Sequence, residues 1–200
     1  MENNMEIYRY GREREYLDAL SKDRSLAVVS KAMASRYLGV SVPTIERRIQ
    51  SGKIGSIQIG TVVCARAADL IAIMKKEEEQ VEKVQKTLEK RASEQKTTTY
   101  GEIMIMAGID LKPENPPDRK RIGQILADVS TASKKTHGVL LSVLVHRSIG
   151  GENNIGPGFF KLAKELKYQN IGNDLEKQQF AREQRDAVFE AYSLLSGKAL

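Results

Sequence analysis

The sequence predicts a mainly helical α+β chain: a compact N-terminal part, a charged helix, and a small α+β domain. Three observations predict it. Helix-capping residues stand ahead of helically spaced apolar residues at Ser30, Ser41, Thr99 and Asp174. β-prone segments are few and short, chiefly "SIQIGTVVC" and "VLLSVLV". A chain of 200 residues without tryptophan makes one domain or two small ones, each too small for an extended sheet. The boundaries fall at 1–24 (an N-terminal extension), 25–74, 75–98 and 99–200.

Residues 1–24 mix both charge signs and predict a short amphipathic helix with no assigned role. Ser30 can cap a helix over "KAMASRYL", stopped by Gly39. Ser41 can cap a second helix, "VPTIERRIQS", in which Pro43 is tolerated because it lies in the first turn. Two short helices joined by about three residues make a helix-turn-helix unit. After Gly52, Ile57 and Ile59 alternate with Ser56 and Gln58, Gly60-Thr61 turn, and "VVC" returns, which predicts a hairpin. From Lys75 to Lys96 charged residues predominate. Met74, Val81, Val84 and Leu88 fit a heptad seam, with Glu77 and Arg91 interrupting it at either end. Two readings stay open for this helix: a dimer coil, or a linker resting on its own domain.

Thr99 and Glu102 form a capping box for "YGEIMIMAG". "LKPENPPDRKR" holds three of the five prolines and predicts a loop. A helix from about Asp118 follows, with Ile122, Ile125, Leu126 and Val129 on one face. "GVLLSVLVH" predicts one buried strand, "RSIGGENNIGPG" a glycine-rich loop, and two helices finish the chain, the last from Asp174 to about Leu195.

Composition excludes several classes. The longest apolar run is too short for a bilayer, which needs about 20 residues, so no membrane partner is expected. One cysteine, Cys64, precludes an intramolecular disulfide and suits a reducing compartment. With no signal-like pattern at "MENNMEIYRY", a cytoplasmic location is expected. His137, His146 and Cys64 are too scattered for a metal site, no cofactor motif occurs, and Asp110, Glu114 and Asp118 read as solvent-facing rather than catalytic. The chain is therefore expected not to be an enzyme.

The net charge of +6 is localised: residues 25–75 carry seven Lys/Arg against two Asp/Glu. A basic cluster of this kind is the footprint of a polyanion partner. On a helical wheel Ile45, Ile49 and Val42 share one side of the second helix, and Thr44, Arg47, Gln50 and Ser51 the other. Arg can bond guanine bidentately, Gln adenine, and Thr a phosphate or thymine methyl. Arg48 and Lys53 are placed for phosphates, which position a helix without reading sequence. A solvated helix face is the plain alternative.

Residues 29–73, "VSKAMASRYLGVSVPTIERRIQSGKIGSIQIGTVVCARAADLIAI", resemble the winged helix-turn-helix of the excisionase and MerR-type family. The resemblance implies double-stranded DNA binding, with Val42 to Ser51 in the major groove and a wing from Ile54 to Cys64. The implied contacts are Ser41, Thr44, Arg47, Arg48, Gln50, Lys53, Gln58 and Thr61. It also implies a transcriptional regulator or recombination-directionality factor of a phage or mobile element. The wing tip "GTVVC" departs from the usual basic tip, which puts its phosphate contacts in question and implies a homodimer or a second DNA contact.

"TTYGEI", "RKRIGQIL" and "LVHRSIGG" resemble the winged helix of alkylguanine-DNA alkyltransferases, but Val145 stands where the alkyl-accepting cysteine would be, which excludes methyl transfer. "LLSVLVHRSIGGENNIGPGFFKLAKEL" is also similar to a bacterial module of unknown function. Candidates for a second DNA contact are Arg119, Lys120, Arg121, His146 and Arg147, with a solvated loop end and a hydrogen-bonded histidine as the alternatives. The rival function is an interaction protein whose C-terminal domain binds a protein target while the N-terminal part regulates its own operon. A DNA-acting enzyme would require a pocket around His146.

Overall fold

The computed structural model describes residues 8–149, 151, 154–169 and 171–195. Among them, the fold is mainly helical with small sheets, and the chain divides into two compact units between Glu77 and Glu78. Among the described residues no helix is long and apolar enough to cross a membrane.

The first unit is built on a four-stranded sheet. Strands β1 (Tyr8–Tyr10), β2 (Val28–Val29), β3 (Ser56–Ile59) and β4 (Val62–Arg66) lie in the order β1-β3-β4-β2. The β3–β4 hairpin turns at Gly60-Thr61 as the alternation predicts, pairing Ile57 with Cys64 and Ile59 with Val62. Strand β1 adds to β3 in parallel, with Arg9 opposite Gln58. Because side chains alternate between faces, the sheet separates two small cores. On one side Ala65 packs with Ala34, Ile45, Ile54 and Leu70. On the other, Ile57 packs with Tyr16 and Leu26, bordered by Tyr10, Ala19, Leu20 and Ile59.

Tyr16 belongs to helix α1 (Glu13–Lys22), and its hydroxyl donates to the Leu26 carbonyl at 3.2 Å. Residues 8–24, expected as an extension, are therefore part of the unit. A three-residue strand in parallel pairing leaves no turn signal nearby, so the sequence concealed it.

In the second unit, the apolar positions of helix α4 (Ala67–Ser93) decide between its two readings. Val84, Leu88 and Ala92 are fully buried, packed with Ile103, Met104, Ile122 and Ile125 of the same unit. The heptad seam rests on its own domain, which is the second of the two open readings. The linker expected at 75–98 is thus largely a wall of the second unit. Earlier in α4, Leu70 and Ile73 belong to the first unit's core.

Strand β5 (Thr98–Thr99) leads into helix α5 (Tyr100–Met106) through the predicted capping box: Glu102 N donates to Thr99 Oγ1 at 3.3 Å, and Thr99 N to Glu102 Oε2 at 2.9 Å. The Thr99 amide first, then the Thr99 and Thr98 hydroxyls and the charge of Arg91, hold the Glu102 carboxyl below its ordinary range. Helix α6 (Pro116–His137) starts two residues before Asp118, with Asn115 as N-cap.

The run "GVLLSVLVH" is not one strand. Leu141–Leu144 form a 3-10 turn, and only β6 (Val145–His146) pairs, with β5. The reason lies in α6. Ser130 Oγ accepts from Ser142 N at 2.9 Å, and Ser133 Oγ accepts from Leu141 N at 3.1 Å. Ser133 also donates to the Val139 carbonyl at 2.8 Å, and Gln184 Oε1 accepts from Leu140 N at 3.2 Å. Side chains thus satisfy backbone groups that would otherwise need a neighbouring strand, as burial demands. Helices α7 (Pro157–Glu165) and α8 (Asp174–Leu195) complete the unit, α8 over the predicted range.

Candidate nucleic-acid interface

Helix α2 (Lys31–Tyr37) is capped by Ser30, whose hydroxyl accepts from Met33 N. After four intervening residues comes α3 (Val42–Gln50), with Ser41 as N-cap and Pro43 in its first turn. Ile45 is fully buried beside Ala34, and the half-buried Ile49 and Leu38 border the same core. This seam fixes the rotation of α3 about its own axis. At its end Gly52 adopts φ 74°, where a side chain would be strained, and Lys53 N and Ile54 N donate to the Arg48 carbonyl at 2.8 and 3.1 Å.

The outward side carries the predicted polar residues. Ser41 Oγ lies 2.9 Å from Thr44 Oγ1, which in turn accepts from Arg47 Nη2 at 3.3 Å. Gln50 continues this row at the same three-residue spacing and is exposed. Arg48 is half-buried on the flank, and Lys53 is exposed just past the helix end.

Charge is arranged to match. The acids near this helix are both engaged: Glu46 pairs with Lys31 Nζ at 2.7 Å, and Asp69 Oδ2 accepts from Gly55 N at 2.6 Å. Among the described residues, Arg36, Arg47, Arg48 and Lys53 have no carboxylate partner. The Lys31–Glu46 pair is only half-buried and adds modest stability. Its larger effect is to neutralise the acid on α3, leaving the helix uniformly positive.

The hairpin agrees less with the sequence reading. Gln58 Nε2 donates to the Gly60 carbonyl at 3.0 Å, so this amide secures its own turn rather than standing free. Thr61 is exposed at the tip beside Val62, which is 58 % exposed. The tip is apolar, but β1 brings the exposed Arg9 alongside Gln58 at the sheet edge. Sequence reasoning missed Arg9. The β-prone "YRY" was the only signal for it.

Of the candidates in the second unit, few are free. Arg119 Nε donates to the Pro113 carbonyl at 2.8 Å and Nη2 to that of Glu114 at 3.2 Å, which closes the proline loop. Arg121 holds Gln80 Oε1 on α4 from two nitrogens, both at 3.2 Å. His146 Nδ1 lies 2.9 Å from the Arg147 carbonyl. Lys120 and Arg147 are exposed. The crowding of cations at the start of α6 is therefore explained largely by structural bonds.

Among the described residues no group of three His, Cys, Asp or Glu could hold a metal ion. Burial pushes the Cys64 thiol up, so at neutral pH it is a poor nucleophile. Compared with known proteins, the chain matches no family model, no curated protein and no solved structure.

Proposed function

We propose that this chain is a non-enzymatic protein that binds double-stranded DNA through α3, with the β3–β4 hairpin as a wing. One observation carries the reading: Thr44, Arg47 and Gln50 form an outward polar row on a helix whose opposite side is pinned by Ile45. A helix held at one rotation, with cations lacking carboxylate partners, suits a major groove. Arg48, Lys53 and Arg9 are the phosphate-contacting residues in this reading, Ser41 and Thr61 lesser ones, and Gln58 supports the wing turn. The resemblance of residues 29–73 to the excisionase and MerR-type family supports a regulator or recombination-directionality factor of a phage or mobile element.

The test is backbone amide NMR of the full chain with a short duplex. Shifts concentrated over Ser41–Lys53 are expected. Saturable duplex binding without shifts there would reject the reading.

A second reading, in which the C-terminal unit binds a protein, is favoured by Ile105 at 80 % exposure and the neighbouring exposed Met106 on α5.

A further inference from the structure

Four cations of the second unit converge on one groove. Arg147, Lys161, Lys164 and Lys177 line a cavity of about 560 Å³ together with Ile155, Pro157, Phe160 and Asp174. The sequence singled out only Arg147 of these. The others come together because α7 and α8 meet at the groove, with Arg147 just beyond the end of β6.

The local balance is positive in a unit that is otherwise nearly neutral. Among the described residues Asp174 is the one carboxylate on the lining, and it pairs with Lys177 at 2.8 Å. Glu165 reaches Lys161 only at 3.8 Å, with both side chains well exposed, so it neutralises little. Arg147 and Lys164 pair with no carboxylate among the described residues. Like charges gathered around a concavity repel one another unless an anion joins them, and a low-dielectric wall focuses their field. The lining supplies such a wall in Ile155, Pro157 and Phe160.

The head of α7 adds to the same field. Its first turn holds no acid, and its N-cap, Gly156, has no side chain with which to cap it. A helix start of this kind carries partial positive charge. Gly156 is required there: a Cβ at this position would fall 2.2 Å from the Tyr100 hydroxyl, so α5 packs directly under the start of α7.

We propose that this groove is a second nucleic-acid site, seating backbone phosphates against Arg147, Lys161 and Lys164, with the sugar–phosphate chain lying over Phe160 and Ile155. A nucleic acid is favoured over an acidic protein because point-like ammonium groups around an apolar floor suit phosphates joined by less polar sugars. The site does not depend on α3 reading DNA.

The experiment is fluorescence anisotropy of the full chain on a random duplex between 50 and 200 mM salt. It compares wild type, Lys161→Ala/Lys164→Ala, Lys161→Arg/Lys164→Arg and Arg47→Ala/Arg48→Ala, each first shown by circular dichroism to melt as wild type does. Losing two phosphate contacts should flatten the slope of log K against log salt by about 1.8, at about 0.9 per phosphate, and the arginine pair should restore it. A slope and affinity unchanged in the alanine pair would overturn the proposal. So would polyglutamate of equal charge competing as well as DNA, which would mark a surface for acidic proteins. If the Lys161/Lys164 pair weakens binding while the Arg47/Arg48 pair does not, the groove stands and the α3 reading fails.

Discussion

Leu88→Ala should destabilise the second unit by about 2–5 kcal/mol, the usual cost of emptying a fully buried leucine site. Leu88 sits at zero exposure on α4, in one cluster with Ile103, Met104, Ile122 and Ile125. The deleted methyl groups lose their transfer free energy, and helices packed from several sides relax only partly into the space. The mutation also separates two accounts of a heptad-like seam. In a dimer coil, the urea midpoint would rise with protein concentration, because dissociation and unfolding are linked. Here the seam is filled from within the unit, so the midpoint should shift downward by the same amount at 2 and 50 µM protein. A concentration-dependent midpoint would mean that Leu88 serves an intermolecular interface.

The second large effect concerns recognition. Arg47→Ala is expected to cost about 1–3 kcal/mol at the preferred sequence and to relax preference at one base pair. The guanidinium is held by Thr44, itself beside Ser41, so the side chain is partly ordered in the free protein. Lys53→Ala should behave differently. Exposed past the end of α3, it should weaken all sequences alike and reduce the salt slope by about 1. Selection from a randomised duplex pool, followed by titration of the selected and scrambled sites, measures both. Equal losses of specificity in the two variants would remove the division of labour between base reading and phosphate contact.

Much of this molecule was legible before folding, and the reasons differ by element. Ser30 and Thr99 announced two helices because a cap is a local bond between residues three apart in sequence, and Ser41 marked a third by its N-cap position without making that bond. In α3, burial of Ile45 and exposure of Arg47 followed from helical spacing alone. Non-local partners were hidden. Nothing near "YRY" shows that it adds to β3, which lies some fifty residues away. "VLLSVLV" has strand composition, yet Ser130, Ser133 and Gln184 hold most of it as a 3-10 turn, and those serines looked like ordinary helix residues. The groove around Arg147 is hidden for the same reason: Lys161, Lys164 and Lys177 belong to two helices, and only packing brings them to one cavity. Arg119 and Arg121 were visible only by their charge. Their charge suggested DNA, whereas their bonds close a loop and tie α6 to α4.

The most direct measurement for the central claim is binding of a random DNA duplex by wild type and Arg47→Ala/Arg48→Ala, by fluorescence anisotropy at two salt concentrations. The account predicts wild-type binding that weakens steeply with salt, and a double variant that keeps its fold but loses most affinity at both. Equal binding by the two proteins would show that α3 does not face DNA. No binding by either would set DNA aside and bring a protein partner forward.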